Sequence, residues 1–497
     1  MSEKSIAIIG AGIAGLTAGC YGRMSGFDTH IFEMHTSPGG LCTSWKRGDY
    51  TFDGCIHWLV GSREGPFFEL WREVGALPGP EIVDFDWFFA YESAEGRRVT
   101  FYNDPDRLRE HLLEIAPEDA GSIKQFTSAV RRGAGLKMPI GKPPELSTFG
   151  DRLKMMAGML PHMGLFAKWG RLSLRDFGSR LKSPLLAEAM TYGLLPEASV
   201  LHFILTLAWM WQRNAGYTIG GSSAFSQRIE EKYRELGGKL TYGARVDKIL
   251  VEEGRAVGVR LADGTERRAD YVVSAADGRT TIFDMLEGRY VDDKVRGYYA
   301  GELPIFEPLV YLSFGVADAL PDAPHYLTFN FASPLQLAGE EIKRAEFRVY
   351  NFDPTLAPPD KTVVTVMMES KYDYWKKLRE EDRDRYRAQK DHVAAAVLEE
   401  LERRFPGIKN KVEVTDVATP ATFERYTGNW QGSFEGWRIS PRTLTLRMAR
   451  TLPGLEAFWM AGQWVEPGGG LPTALMSGRQ IVQLICHKDG REFKTVI

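Results

Sequence analysis

The chain is predicted to be an α/β protein, a parallel-sheet domain into which an α+β domain is inserted, and three observations carry that prediction. An apolar strand, a glycine turn, a helix and a second strand follow one another within the first 33 residues. Residues 220–277 and 454–486 repeat this alternation of strand and helix. The stretches between these blocks differ from them in texture, so the first domain is assembled from three separated pieces.

At 497 residues the chain exceeds one ordinary core, and two packed domains sharing a cleft are expected. Hydrophobic residues at 44% and charged residues at 26% give a globular balance, and a net charge of −3 points away from nucleic acid. The N-terminus enters a strand by Ser5 without the apolar centre and cleavage site of a signal peptide, so cytoplasmic synthesis is expected. Cys20, Cys42, Cys55 and Cys486 lack metal-ligand spacing and read as thiols of a reducing compartment, with no metal site.

Taken in order, the first block reads as a strand at 6–9, a turn at 10–15, a helix at 16–26 and a strand at 29–33. The second reads as an amphipathic helix at 225–236, strands at 239–242 and 245–252, a hairpin turn at Ala262-Asp263-Gly264-Thr265, and an apolar strand at 271–275. The third is a strand at 457–461, a glycine-rich loop, and a helix from about Thr473. Residues 86–214 are rich in Met, Trp, Phe and basic side chains, and residues 301–450 mix β-like runs such as 362–368 with a charged helix at 379–404. The expected domains are therefore 1–85, 215–300 and 451–497 for the first, and 86–214 and 301–450 for the second. The Pro/Gly-rich residues 133–144 read as a loop. Val200–Trp211 is apolar but too short to span a bilayer, and is expected as a buried helix lining a cavity.

Gly10-Ala11-Gly12-Ile13-Ala14-Gly15 lies between strand and helix, where glycines permit a tight turn, close backbone approach to a pyrophosphate, and close helix packing. The helix then directs unpaired N–H groups and its positive dipole end at the phosphates. Glu33, followed by Met34, closes the second strand, where a carboxylate accepts hydrogen bonds from ribose hydroxyls. The unit is a Rossmann-type dinucleotide site. Pro38-Gly39-Gly40-Leu41 adds a further close backbone approach after the acidic residue, which favours FAD over NAD.

From Gly39 through Gly48-Asp49-Tyr50-Thr51-Phe52-Asp53-Gly54-Cys55-Ile56-His57-Trp58 the chain resembles the phytoene desaturase, carotenoid isomerase and retinol saturase branch of the flavin amine oxidase superfamily. Residues 54–58 look closest to the retinol saturase version. The resemblance extends to Gly220-Gly221 and to Val246, on a strand whose backbone contacts the adenine in that superfamily. It also covers Gly462-Gln463-Trp464-Val465-Glu466-Pro467-Gly468-Gly469-Gly470-Leu471-Pro472, similar to the family's second flavin motif. It implies non-covalent FAD, with Gly469, Gly470, Leu471 and Pro472 supporting the ribityl chain and pyrimidine ring, and the last helix directing its N-terminus at a flavin carbonyl. Leu41 stands where many relatives carry Arg, and Gln463 where many carry Asp or Glu.

His57 lies in the stretch that passes near the flavin in relatives, where it can transfer protons or tune the ring; the alternative is a hydrogen-bonded core histidine. Asp53 reads as a structural turn carboxylate and Glu466 as a solvated one. The Met-rich residues 152–171 read either as an apolar tunnel wall, with Lys154, Lys168 and Arg171 meeting anionic headgroups, or as ordinary helical core. The function expected is an FAD-dependent oxidoreductase that desaturates, saturates or isomerises carbon–carbon bonds of a long apolar substrate, an isoprenoid, carotenoid, retinoid or other lipid. An external electron acceptor such as oxygen or a quinone is expected, because no second glycine fingerprint for NADPH is present; peripheral membrane contact is a further expectation. The alternatives are a flavin amine or porphyrinogen oxidase, and a non-catalytic prenyl-lipid-binding chaperone of the GDP-dissociation-inhibitor type. Against the chaperone stand the intact glycine turn, Glu33 and the loop at 468–470.

Overall fold

The computed structural model describes residues 4–136, 140–443 and 446–496. Ser5–Ile9 is apolar on both faces and buried from Ile6 onward, as a central parallel strand must be. It is the middle strand of a five-stranded parallel sheet in the order Lys239–Thr241, Asp28–Phe32, Ser5–Ile9, Tyr271–Ser274, Phe458–Met460. All three separated blocks thus meet in one sheet.

The helices Ile13–Met24, Gly221–Glu235 and Leu471–Asp489 pack beside it. Their closeness depends on small residues: a Cβ on Gly478 would stand 2.3 Å from the Ala14 carbonyl oxygen, and one on Gly19 would stand 2.7 Å from the Tyr233 ring. A second layer is the antiparallel sheet Val246–Glu252, Arg255–Leu261, Glu266–Arg268, whose Ile249 and Val259 share a core with Ile9, Phe32 and Val272. The hairpin turn at 262–265 is present, with Leu261 N–H donating to the Thr265 carbonyl at 2.8 Å.

A seven-stranded sheet forms the other half of the molecule, in the order Val412–Ala418, Leu309–Val316, Thr362–Glu369, Glu340–Val349, Tyr326–Leu337, Trp87–Glu92, Arg98–Tyr102. Trp87–Glu92 and Arg98–Tyr102 come from the first intervening segment and the other five strands from the second. The charged helix expected at 379–404 is two helices, Tyr372–Glu381 and Arg383–Arg404. Asp382 separates them: its carboxylate accepts the Arg385 N–H at 2.9 Å and caps the second helix. A helical layer that includes Ala120–Gly133, Met163–Trp169 and Val200–Trp211 closes around Phe126, Phe203 and Trp169.

Element ends shift by a few residues from expectation. The first helix begins at Ile13 rather than 16, because its first turn is the glycine turn itself, and the last begins at Leu471. Within the expected loop at 133–144, residues 137–139 lie outside the described residues; 134–136 and 140–143 are neither helix nor strand. Among the described residues no helix is long and apolar enough to cross a membrane.

Candidate functional site

The glycine turn owes its shape to three contacts. Gly10 has φ +94°, a left-handed value that favours glycine, and Ala11 N–H donates to Glu33 Oε2 at 2.7 Å. The second oxygen of Glu33 accepts the His35 N–H at 2.8 Å, so the carboxylate is fixed with lone pairs to spare. Gly39 N–H donates to the Ala11 carbonyl at 2.8 Å, which lays Gly39-Gly40 alongside Gly12. A Cβ on Gly12 would meet no atom nearer than 3.8 Å.

These groups open onto a cavity of about 1410 Å³. Gly10, Gly12, Ile13, Ala14, Glu33, Met34, Gly39, Gly40, Leu41 and Val246 line one end. Gly462, Gln463, Gly469, Gly470, Leu471 and Pro472 line the wall toward the last helix, and His57 lines it with Trp58. Ala11 and Gly15 do not reach the cavity. Ala11 holds Glu33, and Gly15 serves packing, since a Cβ there would fall 2.0 Å from the Gly10 carbonyl oxygen.

Beyond the glycine loops the cavity continues between helices. Met159, Met163, Phe166, Leu201, Leu205 and Trp209 line this apolar gallery. The Met-rich stretch is divided: Met159, Met163 and Phe166 line the cavity, Leu165 and Trp169 are buried in the helical core, and Met156 and Leu160 face outward, 64% and 67% exposed.

His57 sits beside Arg348, its Nε2 shielded from solvent and without a hydrogen-bond partner among the described residues. Burial first, and the Arg348 charge second, push its pKa well below the usual histidine value, so the ring is neutral at physiological pH. Asp53 is fully buried and accepts from Cys55 N–H at 3.0 Å and Ser222 N–H at 2.8 Å, tying the 44–53 hairpin to the helix at Gly221. Glu466 is not solvated as expected: it pairs with Arg450, which also holds Glu145 and Gln480, so it braces the loop before the last helix.

Two cavity residues escaped the sequence reading. Asp277 follows the strand Tyr271–Ser274 as Glu33 follows Asp28–Phe32, and that shared edge position was an available signal. It accepts from Thr280 N–H at 2.7 Å and Trp430 N–H at 2.9 Å, and burial raises its pKa to about 6. Glu435, which no local pattern marks, lines the cavity beside the loop at 468–470.

The left-handed glycines at 10, 39, 40, 462, 469 and 470 form a backbone cradle with few side chains in the way, which fits a dinucleotide. Fold and site together define a flavoprotein oxidoreductase. The chain belongs to the flavin containing amine oxidoreductase family, whose model matches residues 13–486. Its cofactor is FAD. It is 25% identical to a phytoene desaturase (neurosporene-forming) of Rhodobacter capsulatus, over 96% of this chain and 93% of the relative. It is 24% identical to the chloroplastic prolycopene isomerase of Arabidopsis thaliana, over 98% and 83%. Among solved structures it is similar to an oxidoreductase from Methanosarcina mazei (TM-score 0.62, 17% identity, 96% and 100% covered). A second is the cyclohexylamine oxidase from Brevibacterium oxydans (TM-score 0.59, 15% identity, 99% and 100% covered).

Proposed function

We propose that this enzyme desaturates, saturates or isomerises carbon–carbon double bonds of a long isoprenoid-type lipid. The observation that carries the reading is the apolar gallery of Met159, Met163, Phe166, Leu201, Leu205 and Trp209, continuous with the dinucleotide cradle. The relatives named phytoene desaturase and prolycopene isomerase support the same substrate class.

In this reading Gly10, Gly12, Gly39 and Gly40 admit the pyrophosphate, Glu33 accepts from a ribose, and Val246 borders the adenine. Gly462, Gln463 and residues 469–472 border the ribityl chain and ring, and the FAD is held non-covalently. When bound, FAD supplies a two-electron acceptor and donor for hydride. The gallery orients the chain, and neutral His57 borders the cavity with its ring. Residues 1–85, 215–300 and 451–497 make up the FAD domain in this reading, and 86–214 and 301–450 the substrate domain. Electrons leave to an external acceptor such as oxygen or a quinone. The exposed apolar side chains of the helix Phe149–Met159 and its continuation, beside Arg152 and Lys154, form a peripheral membrane contact through which a lipid reaches Met159 and Met163.

The test is lipid mass spectrometry of the purified yellow protein, followed by anaerobic mixing with polyenes of increasing length. Co-purified isoprenoid, and bleaching of the flavin band or a change in double-bond number or geometry, is the expected result. Reduction by primary amines with no response to any polyene would replace this reading with that of an amine oxidase.

A further inference from the structure

Four acidic side chains line the cavity among the described residues: Glu33, Asp277, Asp416 and Glu435. Three are engaged. Glu33 holds Ala11 and His35, Asp277 holds Thr280 and Trp430, and Asp416 accepts from Trp45 Nε1 at 3.0 Å and Arg47 Nε at 2.9 Å. Glu435 makes no ion pair and accepts no hydrogen bond among the described residues, and the surface it leaves open faces the cavity.

Its position is fixed by backbone rather than by a partner. The preceding Gly432 and following Gly436 have φ +67° and +71°, and the Gly436 carbonyl accepts from Ser433 Oγ at 3.1 Å and Phe306 N–H at 2.8 Å. The loop at 468–470 closes on it from the other side. A Cβ on Gly469 would stand 2.9 Å from Glu435 Cβ, and one on Gly470 would stand 4.0 Å from Oε1. The carboxyl therefore lines the cavity beside the loop before the last helix, near Cys55.

We propose that Glu435 is a catalytic residue, the group that exchanges a proton with a substrate carbon. The inference rests on the function proposed above. In desaturation one carbon would give up a hydride, with its electron pair, to FAD held in the cradle. The C–H bond of the neighbouring carbon breaks, its electron pair becomes the new π bond, and the proton passes to a carboxylate oxygen of Glu435. In saturation the acid form would return that proton to one carbon as the neighbouring carbon receives a hydride from the reduced cofactor. A cavity that excludes water needs such a group in its own wall, and Glu435 is the cavity carboxyl not already committed to the fold.

Burial alone raises the Glu435 pKa to about 7, so both of its forms are populated near neutrality. The titratable group shown near it is the Cys55 thiol, itself hydrogen-bonded to Cys42 and held well above the usual thiol range. Residues 462–464 and 467–474, packed on the loop side, contain none. His57, pushed the other way, does not titrate in this range.

The experiment uses the holoprotein and has two arms. In the first, the visible spectrum of bound FAD is followed from about pH 5 to 9. A transition near neutrality is expected in the wild type and absent in Glu435→Gln. Glu435→Asp, which keeps a carboxyl but withdraws it, shifts the midpoint and assigns it even if the Gln variant fails to fold. In the second arm, turnover of a polyene substrate should fall about 100-fold or more in Glu435→Gln, with KM little changed and the pH limb near 7 lost. A pH-invariant wild-type spectrum, a transition unmoved by either substitution, or turnover within about tenfold of wild type overturns the proposal. If no polyene is turned over at all, the substrate reading fails, and the spectral arm, which needs no substrate, still decides Glu435.

Discussion

Gly12 and Gly15 stand three residues apart in one turn and are glycine for different reasons. At Gly15 the fold demands it, because an added Cβ would overlap the Gly10 carbonyl oxygen at 2.0 Å. At Gly12 the protein itself leaves room, with φ −69° and no neighbour nearer than 3.8 Å, so on the proposed cofactor placement the demand comes from the dinucleotide. Gly12→Val is thus expected to fold with a native far-UV spectrum but lose FAD, whereas Gly15→Ala should lose about 1–3 kcal/mol or more of stability before binding is considered. Flavin absorbance and a denaturant melt on both variants separate the two, and a Gly12→Val protein that stays yellow would contradict the placement of the pyrophosphate. The motif was legible because its spacing is local, although the sequence could not divide its glycines by cause. For His57 the sequence left proton transfer and a core role both open, and the structure moves its pKa down. Protonating it below its ordinary value is resisted in the fold, so its charge state is constant through the neutral range. His57→Gln should then slow turnover while leaving the pH profile unshifted. An unchanged rate in a folded, FAD-loaded variant would return His57 to the core.

At the scale of elements, the sequence succeeded where a local pattern decides the outcome. The glycine turn, the hairpin at 262–265 and the helix Val200–Trp211 all depend on neighbours within a few residues. It failed at residues 372–404, where a run of charged, helix-favouring residues hides a break between two helices marked only by Asp382 acting as a cap. The helix Phe149–Met159 shows a different limit, since methionines at helical spacing look alike whether they meet core, ligand or solvent. In the structure Phe149 is 83% exposed, and Leu153, Met156 and Leu160 are each exposed by more than half. Scattered exposed apolar residues need no explanation, but these lie together beside Arg152 and Lys154, next to the Met159 wall of the cavity. On the membrane-contact reading, co-sedimentation with anionic phospholipid vesicles should drop about tenfold in a Met156→Glu, Leu160→Glu double variant, since burying each charge in the interface costs more than the apolar contact it replaces. Equal sedimentation of variant and wild type would leave the patch without that role.

At the scale of the whole molecule, the cavity is made by chain segments that are far apart in sequence. Its wall takes residues from the first 67 positions, from 159–209, 245–285, 416–441 and 461–474, so it closes only when both large sheets are in place. This explains why the sequence showed the cradle and not Glu435: the cradle is written in runs of consecutive residues, whereas Glu435 acquires its meaning from Gly469, Gly470 and Cys55 folding against it. The same geometry couples the cofactor to stability. A ligand that binds only where these segments meet binds the native state and not the unfolded chain, and stabilises by RT ln(1 + [L]/Kd), about 2.7 kcal/mol at a hundredfold excess over Kd. The melting temperature should therefore rise with free FAD and keep rising above saturation, and stripped protein should melt lowest. If the FAD is non-covalent, acid precipitation of the holoprotein should leave yellow FAD in the supernatant, and re-addition should restore the higher melting point. Flavin retained by the pellet would show a covalent link, and a melting temperature indifferent to FAD would mean that the cradle closes without it. In that case the glycine loops at 10–15, 39–40 and 468–470, rather than the cofactor, would hold the two sheets in register around the cavity.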